Sequence, residues 1–281
     1  MHPDVTAVIT THVRPDRVYE AMASVRRETH QSIEIVIVDD GGAFVSPAND
    51  SEAPFRVVRG PRLGVGPARN EGLAVAKGEY IIFLDDDDVA MPHRIARLVS
   101  AARNQNAVLC FGMTRRVMDG TSSVRDCVPT HLVTTNGVVN FWDLLACAPH
   151  VNAVLVQTRA LREVGGFDAG AMHFDDWSAW LRIADRGERM WCIADTVADW
   201  RIHDEGLSGQ VLQDRTMKAR LIALFDRLMP CLAADHASAV AVARDIVESK
   251  PIVTYDDYAD AMARARALSV HRLPIRRVIR D

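Results

Sequence analysis

Residues 83–88 read FLDDDD, an apolar run that ends in the four consecutive carboxylates Asp85, Asp86, Asp87 and Asp88. Each carboxylate raises the cost of ionising its neighbours, so the run calls for a cation or for donors close by. Helix capping explains one aspartate, not four. A hard divalent cation, Mn2+ or Mg2+, explains the rest, because it prefers carboxylate oxygens and completes its shell with substrate phosphates. Other polar side chains stand at comparable places. ITTHVRP offers Thr10, Thr11 and Arg14, IVDDGG offers Asp39 and Asp40, and GPRLGVGPARNEG carries Arg69 and Asn70 near a helix start, where anions are stabilised. In HFDDWSAWLRIA, Trp177, Trp180, Leu181 and Ala184 mark a buried helical stripe, so Asp175 and Asp176 fall at its N-terminus. Plainer readings compete: VDDGG as an Asp-rich turn, one of Asp175 and Asp176 as a helix cap, and His203 as a packing residue.

These residues fall where strands should end. Short β-branched runs begin at Val5 (VTAVIT), Ile33 (IEIVIV), Phe55 (FRVV), Tyr80 (YIIFL) and Ala107 (AVLCF), and they alternate with helical patterns. That alternation predicts an α/β fold with a mostly parallel sheet flanked by helices. In such sheets ligands bind in the crevice beyond the carboxyl ends of the strands. Val18, Ala21, Met22 and Val25 give the first helix its stripe after Pro15, the segment 66–77 forms a second helix, and Pro92 opens a third. Residues 115–150 read as loops and short strands, the kind of excursion in which substrate-choosing loops often lie. Beyond Leu212 the pattern is helical only.

Bulk properties limit the partners. The chain has 281 residues and 48% hydrophobic content, enough for a substantial core. Its 33 Lys and Arg against 37 Asp and Glu give a formal net charge of -4, which argues against broad capture of nucleic acid or anionic membrane. Cys110, Cys127, Cys147, Cys192 and Cys231 show no CxxC pair and read as reduced thiols, which suggests a cytoplasmic protein. Neither a signal peptide nor a membrane-spanning segment is expected.

Taken in order, VITTHVRP, IVIVDDGG, GPARNEGLAVAKGEYIIFLDDDDVAMP, VGGFD, HFDDWSAWLRIA and WRIHDEGLS resemble the blocks of the family 2 glycosyltransferases, over roughly residues 5–210. The resemblance implies a GT-A fold over residues 1–210, with a nucleotide-binding half (1–113), an acceptor-side half (114–210) and a C-terminal helical extension (211–281). It implies that Thr10, Arg14, Asp39 and Arg69 hold the nucleotide of a UDP-sugar, Asp39 accepting from the uracil imide. The family's DxD motif falls on Asp85–Asp87: Asp87 binds the metal, Asp85 or Asp86 the ribose, and Asp88 is left to the turn into the next helix. Asp176 matches the general base of an inverting displacement, Asp175 replaces a more frequent Glu, and Trp177 joins it on the acceptor side. His203 joins the metal site, and Ser208 the loop over the diphosphate. With an ordinary Asp pKa near 3.9, Asp176 would be ionised without any upward shift.

Two other readings stand beside this one: a catalytically inactive nucleotide-binding module of the same fold, and a sugar nucleotidyltransferase. The latter is disfavoured because TTHVRP lacks a glycine after the first strand. The acceptor is left as a glycan, a lipid-linked intermediate or a small metabolite. The C-terminal helices are an acceptor wall or a homodimer surface, and the basic HRLPIRRVIRD reads as a solvated end.

Overall fold

In β1 (Val5–Thr11), Val5, Ala7 and Ile9 face one side of the sheet and Thr6 and Val8 the other, and all are buried. A strand buried on both faces needs helices on both faces. The computed structural model describes residues 3–42, 44, 55–118, 124–128, 135–146, 149–171, 173–203, 216–252 and 254–269. After β1 come β2 (Ile33–Asp39), β3 (Phe55–Arg59), β4 (Tyr80–Asp85), β5 (Val89–Ala90), β6 (Leu109–Met118), β7 (Val124–Val128), β8 (Gly137–Val139), β9 (Val154–Gln157) and β10 (Met190–Ile202). They form one sheet in the order β3-β2-β1-β4-β9-β6-β10-β5, with β7 on β6 and β8 on β10. The β3-β2-β1-β4 block and the long β6–β10 ladder are parallel, and β9 enters antiparallel between β4 and β6. Register places Thr11 beside Asp39 and Thr10 beside Asp85, which brings the polar strand ends together.

On one face, α1 (Pro15–Arg26) and α3 (Arg94–Gln105) cover Ala7, Ile9, Ile37 and Leu84. On the other lie α2 (Val65–Val75), α4 (Phe141–Ala146), α5 (Thr158–Glu163) and α6 (Asp175–Asp185), against Val8, Val36 and Phe83. Gly72 sets the closeness of α2: a Cβ there would lie 2.4 Å from Val8 Cγ1.

The C-terminal helices α7 (Met217–Leu228), α8 (Ala234–Ser249) and α9 (Tyr255–Ser269) share the second core. Leu221, Phe225, Val240 and Tyr258 are all fully buried in it. Its centre is Trp177, 1% exposed, whose ring lies 6.0 Å from Phe225 and 5.3 Å from Tyr258. Trp177 Nε1–H donates to the Leu144 carbonyl at 2.8 Å, and the Tyr258 hydroxyl donates to that of Leu145 at 2.5 Å. Trp177 therefore does not reach an acceptor, contrary to the sequence expectation: α6 turns its indole inward to join the C-terminal helices. Among the described residues no helix is long and apolar enough to cross a membrane. Cys110, Cys192 and Cys231 are free thiols, whereas Cys147, Ser208 and the basic end 271–281 lie outside the described residues.

Candidate active site

The aspartate run divides by what each carboxylate meets. Asp85 accepts from Thr10 Oγ1 at 3.2 Å and from Arg69 Nη2, its Oδ1 2.8 Å and its Oδ2 3.1 Å away. Burial would raise its pKa, but Arg69 and then His150 outweigh burial and hold it below the usual range. Asp86 accepts from Thr11 Oγ1 at 2.7 Å and pairs with Arg14 at 2.9 Å, yet burial pushes it up to about 6. Asp87 pairs with Arg14 at 2.6 Å, and its Oδ2 lies 2.9 Å from His203 Nε2, which is itself 3.2 Å from Arg14 Nη1.

Asp88 does not serve the turn into the next helix. It is 2% exposed and accepts from the Asn152 amide and, at 2.7 Å, from the Arg201 N–H. The residue preceding α3 is His93, in the left-handed region at φ 64° and without a side-chain cap. Asp88 thus pins β10 and the 3-10 turn Val151–Ala153 to the end of β4. Burial, then Asp87 and Asp85, raise its pKa well above the ordinary value.

Arg69 is 4% exposed, so it is a bridge rather than an open phosphate ligand. Gly64 leads into α2 at φ 102°, and Gly66 leaves room for α6, since a Cβ there would stand 3.2 Å from Asp175 Cβ. From this close helix Arg69 Nη1 donates to Asp175 Oδ2 at 2.7 Å while Nη2 holds Asp85. Burial alone would lower its pKa, but Asp85, Asp175 and Asp176 raise it overall, so the guanidinium stays charged.

Asp175 and Asp176 occupy the first turn of α6, where the helix dipole favours negative charge. Neither caps the helix by replacing Phe174, which makes no side-chain cap bond. Asp176 instead accepts from the N–H groups of Val151 at 3.1 Å and Trp177 at 2.7 Å. Burial first, and Asp175 second, push its pKa up to about 7. This upward shift, contrary to the expectation of an ordinary Asp pKa, arises from desolvation beside a second carboxylate.

Asp39 is also tied more tightly than expected. Its oxygens accept from the N–H groups of Gly42 at 2.7 Å and Phe44 at 3.1 Å and from Arg59, with the side chain fully buried. In this state it closes the loop after β2 and presents no oxygen to a base. Asp40 likewise accepts from the Arg62 N–H at 2.6 Å.

Three site residues carried no sequence signal. His150 stacks on Trp200, ring centroids 4.6 Å apart, and burial pulls its pKa down to about 4. Asn152, fully buried, accepts from the Asp85 N–H at 3.3 Å while its amide donates to Asp88. Arg94, 1% exposed, donates to the Phe83 carbonyl at 2.8 Å behind the run, and burial lowers its pKa to about 10. Single His and Asn residues in an irregular segment, and an Arg on an apolar helix face, look ordinary until the fold brings them together.

The site fits a divalent cation. Burial first, and neighbouring carboxylates after it, raise the pKa values of Asp86 and Asp88. Asp87 and His203 offer oxygen and nitrogen donors at the crevice. Asp85, Asp88 and His150 also place potential ligand atoms within 4.8 Å of one another. There, however, both Asp88 oxygens already accept bonds from the protein.

Comparison with known proteins agrees with this architecture. Residues 6–155 match the family model described as Glycosyl transferase family 2. The succinoglycan biosynthesis protein ExoO of Rhizobium meliloti is 36% identical over 104 residues, covering 36% of this chain and 30% of ExoO. The putative glycosyltransferase EpsH of Bacillus subtilis is 30% identical over 128 residues, covering 42% of this chain and 37% of EpsH. The chain thus spans about a third of the length of these curated relatives. Among solved structures, S. aureus TarS 1-349 in complex with UDP-GlcNAc superposes with a TM-score of 0.62 at 12% identity, over 96% of this chain and 93% of that one. The mannosyltransferase PcManGT of Pyrobaculum calidifontis, in complex with GDP-Man and Mn2+, gives 0.55 at 17% identity, over 97% and 82%. The fold is that of the GT-A structures.

Proposed function

This chain belongs to glycosyl transferase family 2, and from that premise we propose that it is a metal-dependent inverting glycosyltransferase using a nucleotide-diphosphate sugar, UDP-linked in our reading. The observation that carries the proposal is the position of Asp176 at the start of α6, beside the Asp175 carboxylate that Arg69 links to Asp85. A base for an acceptor and a carboxylate run for a donor are thereby held across one crevice.

In the proposed reaction the acceptor hydroxyl oxygen forms a bond to the anomeric carbon while the bond from that carbon to the phosphate oxygen breaks. The nucleoside diphosphate leaves with the electron pair, Asp176 takes the hydroxyl proton, and configuration inverts. A positioned base contributes about 10²–10⁴-fold. Its pKa of about 7 suits proton transfer near neutral pH. Asp87 and His203 would hold Mn2+ or Mg2+, which when bound neutralises charge on the departing diphosphate. Arg14, which pairs with Asp86 and Asp87, would turn to that diphosphate, and Thr10 with Asp85, bonded to one another, would meet the ribose. Asp39, released from its loop bonds, would accept from the uracil imide. The acceptor is a hydroxyl of a glycan, a lipid-linked intermediate or a small metabolite.

The test is a panel of nucleotide sugars with Mn2+, read first by thermal shift and then by donor turnover. A ligand that binds only the folded state raises its stability with concentration. Stabilisation by UDP and a UDP-sugar supports the reading; release of pyrophosphate from a nucleoside triphosphate plus a sugar phosphate would instead favour a nucleotidyltransferase.

A further inference from the structure

His150 stands between the two halves of the site. On one side its ligand nitrogen lies within 4.8 Å of carboxylate oxygens of Asp85 and Asp88. On the other, the next residue, Val151, gives its N–H to Asp176. The imidazole is half-buried and rests on Trp200, its ring plane inclined 20° to the indole. Its Nδ1 accepts from the Asn152 N–H at 3.4 Å, which leaves the proton of the neutral ring on Nε2. His150 therefore adjoins both the carboxylate run assigned to the donor and the residue whose N–H holds Asp176.

We propose that His150 is a sugar-contacting residue, with Nε2–H donating to a ring hydroxyl of the transferred glycosyl group and Trp200 fixing the imidazole plane. The proposal rests on the glycosyl-transfer reading above and adds the residue that reads the sugar rather than the nucleotide. Participation of His150 in a metal set with Asp85 and Asp88 is the competing role. It is disfavoured because Asp88 already accepts from Asn152 and Arg201 and the Nδ1 lone pair of His150 is directed at Asn152.

The test compares Kd values of the full chain with Mn2+ for UDP against UDP-GlcNAc and for GDP against GDP-mannose, by calorimetry. The readout is the ratio of sugar-nucleotide Kd to nucleotide Kd for the pair the wild type binds. His150→Asn keeps an acceptor for the Asn152 N–H but lacks the distal nitrogen; it should raise that ratio about tenfold, as for a lost hydrogen bond, and leave the nucleotide Kd unchanged. His150→Gln, which restores a distal N–H, should return the ratio towards wild type. An unchanged ratio in His150→Asn overturns the proposal. So does a weakened Mn2+-dependent nucleotide Kd like that of Asp87→Ala, which would place His150 on the metal. Failure of the wild type to bind any of the four ligands would overturn the glycosyl-transfer reading itself.

Discussion

Asp85 and Asp175 share one guanidinium: Arg69 donates to Asp85 at 2.8 Å and to Asp175 at 2.7 Å from a position 4% exposed to solvent. The end of β4 and the start of α6 are therefore fixed relative to one another by a single side chain. Asp176, the next residue along α6, takes its place from the same brace.

Removing that brace should cost both stability and rate. Arg69→Met leaves the buried Asp175 and the partly exposed Asp85 without their guanidinium, a loss of about 3–5 kcal/mol by the usual measure for a broken buried pair. Arg69→Lys retains charge but cannot fork to both carboxylates, so it should fold better and still lose about 10²-fold in turnover through misplacement of Asp176. Urea unfolding and donor turnover, measured together, check both. Wild-type turnover in Arg69→Lys would show that the fork does not position the base.

The pH dependence should follow Asp176. Its pKa is pushed up to about 7, and the base must be ionised to accept a proton, so kcat/KM should climb with pH and level off above about 7. A profile already flat from pH 5 upwards would mean that Asp176 is ionised with an ordinary pKa or is not the base.

The same shift makes a stability prediction of defined sign. A carboxyl whose folded pKa lies above its unfolded value binds its proton more tightly when folded. It therefore destabilises the protein progressively as pH rises from the unfolded value, 3.8, towards about 7. Asp176→Asn should then be more stable than wild type at pH 8, by about 1 kcal/mol or more, since one pH unit between the folded and unfolded pKa corresponds to about 1.4 kcal/mol. The difference should vanish near pH 4. Equal unfolding midpoints at both pH values would contradict the desolvation of Asp176.

Much of this was legible in the chain itself. The β-branched runs beginning at Val5, Ile33, Phe55 and Tyr80 start β1, β2, β3 and β4 at those same residues: β1, β2 and β4 lie inside the sheet and leave a nearly continuous apolar signature, while the edge strand β3 shows in its β-branched valines. The stripe of Trp177, Trp180 and Leu181 located α6 for the same kind of reason. By contrast β10, Met190–Ile202, is not among those runs. Asp195 and Asp199 interrupt its pattern, and its register on β6 shifts at Thr196. The environment of the site was less visible than its residues. Desolvation of Asp176, burial of Arg69 and the bonds of Asp88 to Asn152 and Arg201 come from long-range packing, which local spacing does not encode.

Trp177 offers a separate check on the C-terminal helices. Trp177→Ala should cost about 3–5 kcal/mol by opening a cavity among Phe225, Tyr258 and α4. Trp177→Phe, which loses mainly the bond to the Leu144 carbonyl, should cost about 1 kcal/mol and leave nucleotide affinity unchanged. Thermal unfolding and calorimetry distinguish this packing role from a contact with substrate.

The central claim, that Asp176 is the base of a metal-dependent sugar transfer, is tested most directly by comparing wild type with Asp176→Asn in one Mn2+-containing assay of nucleotide binding and donor turnover. The account predicts that Asp176→Asn binds the nucleoside diphosphate as tightly as wild type and that its turnover falls by about 10²–10⁴-fold. Chelation of the metal should abolish turnover in both proteins. An Asp176→Asn protein that transfers sugar at the wild-type rate would contradict it.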